Sequence, residues 1–333
     1  MKRYLLLFLI VLSFCSSCEK QEKETFSRKK MLKDIYHELI IPAFKNFSEE
    51  CEKLSTLTDS YSADPTSENL DQCRQQWVKT ILSWRHCDIF TVGEYRKTFI
   101  KARIYTIFGK STFNSQKDKL AELKNIEKLG TTVKGISALE YLLFNQNVDP
   151  KKFSTYISLV AKELKDLADQ SLKVWDSSEE SFIQKSDLSF GSTIQELVNE
   201  QVRYCEEFYF TKFSYPLGYL YPIDFSIVEH YESKTAVKAL KESVEVVEVY
   251  FKNYFYGLIK DQNKNSKLPE EMTQQFAVIK TVLTRMETLP HYEDQVPPEL
   301  ESLFAELRKL LISVKVGVVN QLGVTVVLPN DGD

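Results

Sequence analysis

The sequence predicts an all-α fold made of two helical bundles packed together. Nearly every long segment of the chain carries apolar residues at the helical period. Glycine is scarce, with 10 residues in 333, while leucine, lysine and glutamate are plentiful. This composition suits helices better than a sheet with many tight turns. The formal net charge of −4 gives no basic field, so nucleic acid is not an expected partner.

The N-terminus predicts an exported lipoprotein. Lys2 and Arg3 precede an apolar stretch, residues 4–14, that is too short to cross a bilayer. Small residues then precede Cys18, so we expect cleavage before Cys18 and lipidation of its thiol, with an ordinary cleaved signal peptide as the alternative. The body would then be a soluble domain anchored to the outer membrane in the cell envelope, facing the periplasm or the surface. The predicted bounds are 1–17 for the signal peptide and 18–26 for the tether.

Helical periodicity divides the body into two groups of helices. Pro42 is expected to kink the first helix, and Pro65 to lie near the start of the second. The N-terminal group has predicted helices at about 27–58, 67–91, 117–128 and 134–145, with an irregular aromatic segment at 99–115. The C-terminal group has predicted helices at about 151–174, 185–213, 228–258, 270–288 and 298–321, with an aromatic loop at 214–222. Residues 322–333 are expected to form a strand or a tail packed on the bundle. Polar residues before Pro150 suggest the boundary, which gives bundles of 27–148 and 149–333.

Four cysteines remain in the body, and we call them the body cysteines: Cys51, Cys73, Cys87 and Cys205. An exported protein can form disulfides. The spacing nevertheless shows no disulfide framework, and Cys73 and Cys87 lie too far apart to pair if they share one straight helix. We therefore expect buried free thiols.

The most informative stretch is 133–144, V-K-G-I-S-A-L-E-Y-L-L-F, where Ser137 and Glu140 interrupt an apolar run. A spacing of three places both side chains on one helix face. A carboxylate is rarely buried without a partner, so Glu140 needs either a Tyr, Lys or Arg neighbour or a bound ligand. Ser137 could instead bond its own helix backbone. Gly135 is expected to permit a close approach of another helix, and Asp88 either joins Glu140 or is solvated near its helix end.

The polar residues give no familiar catalytic pattern. The four histidines of the body (His37, His86, His230 and His291) form no His-x-x-x-His pair, so a zinc protease site is not expected. There is no Gly-x-Ser-x-Gly motif and no glycine-rich phosphate loop. Oxygen ligands from Glu140, Asp88 and tyrosines would suit a hard cation. The tyrosine-rich segment 204–221 serves either packing or planar contacts to haem, peptide or sugar.

Several motifs in order along the chain resemble the imelysin-like family. Residues 134–144 are similar to its signature, Gly-x-His-x-x-Glu followed by an aromatic residue and leucines. Segments elsewhere resemble further family patterns: Trp77, Trp84, Asp88, Phe90 and Gly93 upstream, Lys212 with 216–218 in the centre, and 322–325 with 331–333 at the end.

The resemblance implies two helical bundles with a site between them. It also implies an extracytoplasmic, often lipid-anchored protein associated with iron or haem acquisition. The founding members were described as metallopeptidases, and related domains bind metal through the His and Glu of the signature. This chain departs from the pattern, with Ser137 in place of the His, Asp88 where Glu is common, and Ile81 where Arg is expected. Serine is a poor metal ligand and, unaided, no base near neutral pH.

We therefore expect a non-catalytic binding protein linked to iron or haem acquisition, with its ligand in the cleft between the bundles. The expected ligand is iron, another hard cation or haem, and any metal would be held by Glu140 and Asp88. Expected partners are the membrane, through lipidated Cys18, and components of iron uptake. The alternatives are a metal-dependent peptidase with an altered motif and a module that binds a surface polysaccharide or a protein. The predicted ligand-binding residues are Trp84, Asp88, Gly135, Ser137, Glu140 and Tyr215.

Overall fold

The structure, a computed structural model, describes residues 26–209, 228–287 and 298–327. These residues form helices joined by turns, and no strand occurs among them. The predicted all-α class is therefore confirmed. Several predicted features lie outside the described residues. They are the signal peptide, the tether up to residue 25 with the lipidation site Cys18, the aromatic loop with Lys212 and Tyr215, His291 and the end of the tail. No helix in the described ranges combines the length and the apolar character needed to cross a membrane.

The N-terminal helices follow in short succession. They are α1 (Arg28–Asp34), a π-helical turn (Ile35–Ile40), α2 (Ile41–Ala63), α3 (Ser67–Asp88), α4 (Gly93–Lys97), α5 (Ile100–Ile104), α6 (Lys110–Ala121) and α7 (Gly135–Phe144). In the rest of the described ranges the α-helices are α8 (Ser154–Asp176), α9 (Glu179–Gln184), α10 (Thr193–Glu206), α11 (Ala236–Tyr250), α12 (Tyr256–Gln262), α13 (Leu268–Met286), α14 (Pro298–Ile312) and α15 (Val319–Leu322). A π-helical segment also joins α11 to α12 (Phe251–Phe255) and α14 to α15 (Ser313–Val318).

Local chemistry explains where the first long helices begin. The Ser27 side chain accepts a hydrogen bond from the backbone of Lys30, and Thr66 caps α3 in the same way. Pro42 lies in the first turn of α2, directly after a π-helical turn. Because proline has no N–H to donate, the helix relaxes its regular bonding there and continues.

The helices pack as two groups that meet along α3. In the first group α2 packs lengthwise on α3 and α8, and α7 packs on α8 and α3. In the second group α13 packs on α11 and α14, and α10 packs on α14. Helix α11 also packs on α3 and so joins the groups. The predicted boundary at 148/149 stays a prediction, although α8, which follows it, lies against α2.

Two predicted helices begin later than their periodicity indicated. Helix α10 begins only at Thr193, because Gly191 adopts φ +80° and Ser192 then caps the helix. Helix α11 begins only at Ala236, because His230 and Lys234 both have positive φ and the preceding residues form turns. These turns matter, since they bring polar side chains to the sites described below.

Two smaller predictions are confirmed. The described part of the tail packs on the bundle without forming a strand, because the Thr325 carbonyl accepts hydrogen bonds from the amides of Gln195 (2.9 Å) and Asn199 (3.0 Å). The body cysteines are all free and buried. Burial raises the pKa of each thiol, to about 12 for Cys73 and Cys205.

Candidate ligand-binding site

Helix α7 carries Glu140 and enters the protein through a close contact at its first residue. Gly135 has φ +74°, and a Cβ built there would lie 2.5 Å from the Ile104 carbonyl oxygen and 2.8 Å from that of Arg103. Only glycine fits this approach of α7 to α5. The contact fixes the start of α7 and hence the position of Glu140 one and a half turns later.

Glu140 is buried, with 6% of its surface exposed. Its Oε2 lies 3.0 Å from His230 Nδ1, and its Oε1 accepts hydrogen bonds from the backbone N–H (3.1 Å) and the hydroxyl (2.8 Å) of Ser233. The sequence predicted a Tyr, Lys or Arg partner, or a ligand. The partners are instead a histidine and a serine from the turns before α11.

The hydrogen bonds of His230 define its tautomer. Its Nε2 lies 2.5 Å from Arg85 Nη2. Because a guanidinium only donates, Nε2 must accept, which leaves the proton on Nδ1 to be donated to Glu140. His230 is therefore a neutral imidazole in this arrangement, and the Trp77 ring packs edge-on against it at 5.6 Å.

Arg85 lies behind His230, and its side chain is fully buried. Its guanidinium pairs with Asp88 Oδ2 at 3.2 Å and with Glu229 Oε1 at 2.8 Å, and it lies over the Tyr105 ring. Burial disfavours the charged form of Arg85, but the Glu229 carboxylate and other nearby groups outweigh it and raise the pKa well above its usual value. Arg85 thus remains a fixed cation.

Asp88 is buried rather than solvated. Its carboxylate pairs with Arg85 and with Lys101, whose Nζ lies 2.6 Å from Oδ1. Asp88 does not contact Glu140 directly, because Arg85 and His230 lie between them. In the described ranges no group of three or more His, Cys, Asp or Glu side chains is arranged to hold a metal ion. Ligation of a metal by Glu140 and Asp88 stays a prediction.

Ser137 and Glu140 line a cavity of about 370 Å³. The Ser137 hydroxyl is buried and has no hydrogen-bond partner among the described residues, so it does not bond its own helix backbone. Trp84 does not border this cavity and packs instead on Phe47 in the core, with ring centroids 5.0 Å apart. Further walls of the cavity come from Tyr105, Phe108, Lys110, Tyr141, His230 and Glu232.

Sequence reasoning missed the basic part of this site. Arg85 could have been found, because it lies one turn before Asp88 on the same helix. His230 and Ser233 gave no local signal, since they reach Glu140 from 90 or more residues away.

The imelysin family model, Peptidase_M75, matches residues 40–310, which is most of the chain. The chain belongs to the imelysin family. Its fold is similar to that of an imelysin-like protein from Psychrobacter arcticum 273-4, with a TM-score of 0.76 at 14% identity over 90% of this chain and 97% of the other. It is also similar to a protein from Parabacteroides distasonis ATCC 8503 named as an iron-regulated protein A precursor, with a TM-score of 0.72 at 12% identity over the same shares. No curated protein matches the sequence.

Sequence identities of 14% and 12% show a shared fold and do not show a shared function. Within this imelysin-family chain the signature carboxylate is Glu140. The imidazole that contacts it comes from His230 and not from the signature position, where Ser137 stands.

Proposed function

We propose that this imelysin-family protein is a non-catalytic ligand-binding protein of the cell envelope that serves iron acquisition. Family membership supports the fold, and one structural neighbour is named as iron-regulated. The N-terminal sequence supports export and anchoring through lipidated Cys18.

The observation that carries the proposal is the cavity beside Glu140. A carboxylate has about four sites that accept hydrogen bonds, and His230 and Ser233 occupy three on Glu140. A further site on the carboxylate remains for a ligand in the cavity, which Ser137 also lines. A carboxylate oxygen suits a hard cation such as Fe³⁺.

The size and chemistry of the cavity favour a small ligand over haem. Its volume of about 370 Å³ is near the lower end of the usual range for ligand pockets. Haem iron takes an axial ligand such as histidine. Both nitrogens of His230 are already engaged, by Glu140 and Arg85. Iron as a hydrated ion or a small chelate therefore fits the site better.

The same contacts count against catalysis at Ser137. A serine nucleophile needs an adjacent base to remove its proton. The Ser137 hydroxyl bonds no such group among the described residues, and His230 faces Glu140 and Arg85. The peptidase alternative stays a prediction that none of these contacts favours.

Iron binding to the full mature protein tests the proposal. Equilibrium dialysis would use ferric citrate, ferrous ion and haem as separate probes. We expect an iron probe to bind, and Glu140→Gln to weaken binding at least tenfold because it removes the carboxylate charge. Glu94→Gln removes an exposed carboxylate and is the matched control. Failure of all three probes to bind at high micromolar concentration would refute the iron assignment, and unchanged affinity in Glu140→Gln would refute the site.

Anchoring has a separate test. In cells given labelled palmitate, the wild type should carry the label and fractionate with membranes, whereas Cys18→Ser should carry none. A labelled Cys18→Ser variant, or an unlabelled wild type, would contradict lipidation at this residue.

A further inference from the structure

A second and larger cavity, of about 630 Å³, lies between α10, the α4–α5 segment and the described end of the tail. It shares no lining residue with the Glu140 cavity. No residue of the family signature, 134–144, lines this second cavity. Its lining includes Thr91, Arg96, Lys101, Phe190, Glu196, Glu200 and Arg203.

The floor of this cavity is a buried acid surrounded by three cations. Glu200 is 2% exposed. Arg203 binds it through Nε (3.0 Å) and Nη2 (2.5 Å), Arg96 Nη2 lies 3.4 Å away, and Lys101 Nζ lies 3.9 Å away. Lys101 also pairs with Asp88, and Arg203 also pairs with Glu207, whereas Glu200 is the one carboxylate paired with Arg96 among the described residues. Glu200 therefore holds the basic groups in fixed positions on the cavity wall.

Arg96 is the cation that can take a ligand. Its Nε donates to the Thr91 carbonyl at 2.9 Å and its Nη2 to Glu200, which anchors the guanidinium at two points. Its Nη1 bonds no group among the described residues, and 47% of the side chain is exposed. A guanidinium that is both anchored and accessible is preorganised to bind a carboxylate.

Two further groups stand beside Arg96 on the cavity wall. Phe190 is 77% exposed, and the turn that carries it is fixed because the Gly191 N–H donates to the Gln195 side chain at 2.6 Å. The ring offers a flat apolar face to a ligand. Glu196 accepts from the Gly93 N–H through Oε2 (2.7 Å), which leaves Oε1 to accept from a ligand hydroxyl.

We propose that this cavity binds a carboxylated sugar. Its carboxylate would pair with Arg96, a hydroxyl would donate to Glu196, and the apolar face of the sugar ring would lie on Phe190. A neutral sugar would lose the charged pair, whereas a simple inorganic anion would lose the ring contact. The proposal rests on this cavity alone and is independent of the iron role.

Isothermal titration of the full mature protein with D-glucuronate and with D-glucose tests the proposal. We expect glucuronate to bind at least tenfold more tightly than glucose, because glucose lacks the carboxylate. Arg96→Gln should abolish this preference, and Phe190→Ala should weaken glucuronate binding severalfold without affecting folding, since Phe190 is exposed. Arg103→Gln removes a comparably exposed arginine outside the cavity, so it should bind glucuronate like the wild type.

Three results would overturn the proposal. The first is that glucuronate at millimolar concentration, in 50-fold excess over the protein, does not bind. The second is equal affinity for glucose and glucuronate. The third is that Arg96→Gln and Phe190→Ala both bind glucuronate as tightly as the wild type. Circular dichroism of each variant shows whether a loss reflects the cavity or the fold.

Discussion

Arg85 connects the Glu140 site to the buried acids behind it, so replacing Arg85 should destabilise the whole protein. Methionine at this position keeps much of the volume but removes the charge and all donors. Asp88 and Glu229 would each lose a charged partner, and His230 Nε2 would lose its donor. Removing one partner of a buried ion pair typically costs about 3–5 kcal/mol.

The neighbouring groups place the expected loss near the lower end of that range. Asp88 keeps Lys101 at 2.6 Å, and Glu229 keeps the Tyr105 hydroxyl. We therefore expect Arg85→Met to lower the free energy of unfolding by about 3 kcal/mol. Arg103→Met is the matched control, because Arg103 is 45% exposed and its pair with Glu163 is typical of surface pairs that contribute about 0–1 kcal/mol.

Urea unfolding followed by circular dichroism measures both variants. The midpoint should fall clearly in Arg85→Met at an unchanged slope and remain close to wild type in Arg103→Met. A loss below about 1 kcal/mol in Arg85→Met would refute the reasoning, because the buried charges would then not depend on this cation.

Three further predictions concern the backbone, the thiols and a helix cap. Gly135→Ala should lower the free energy of unfolding by about 3 kcal/mol or more, because the added Cβ would collide with the Ile104 carbonyl. Gly191→Ala is the control, since Gly191 also has a positive φ but open space around it, and it should lower this free energy by about 1 kcal/mol. Equal losses of both variants in urea unfolding would contradict the prediction. Burial raises the pKa of the body cysteines above the ordinary 9.0. Above pH 9 the unfolded state therefore loses thiol protons that the folded state keeps. The free energy of unfolding should fall as pH rises, by up to about 1.4 kcal/mol per thiol per pH unit. Unfolding curves at pH 8 and pH 10 measure this fall, and equal stability at both would contradict it. Thr66→Ala should cost about 1 kcal/mol by removing the α3 cap, and a calorimetric melting temperature identical to wild type would show that the cap contributes nothing.

Most of the long helices could be predicted because their signals are local, but α6 (Lys110–Ala121) was predicted at 117–128 and lies seven residues earlier in the chain. Apolar periodicity places α2, α3, α7, α8 and α13 close to their observed positions. The starts of α10 and α11 were predicted too early, because backbone turns at Gly191, His230 and Lys234 interrupt the helix without changing the apolar pattern. Periodicity reports which residues face a core and is insensitive to a single left-handed residue.

The sequence by itself determined that Glu140 is a carboxylate in an apolar helix and that Gly135 precedes it at a close contact. It could not determine what meets Glu140. Tertiary packing brings His230 and Ser233 to that carboxylate from the far side of the chain, and places Arg85 so that His230 is held as the neutral tautomer. The physical reason is that burial of a helix face follows from its own residues, whereas the partner of a buried polar atom depends on which other segment is packed against that face.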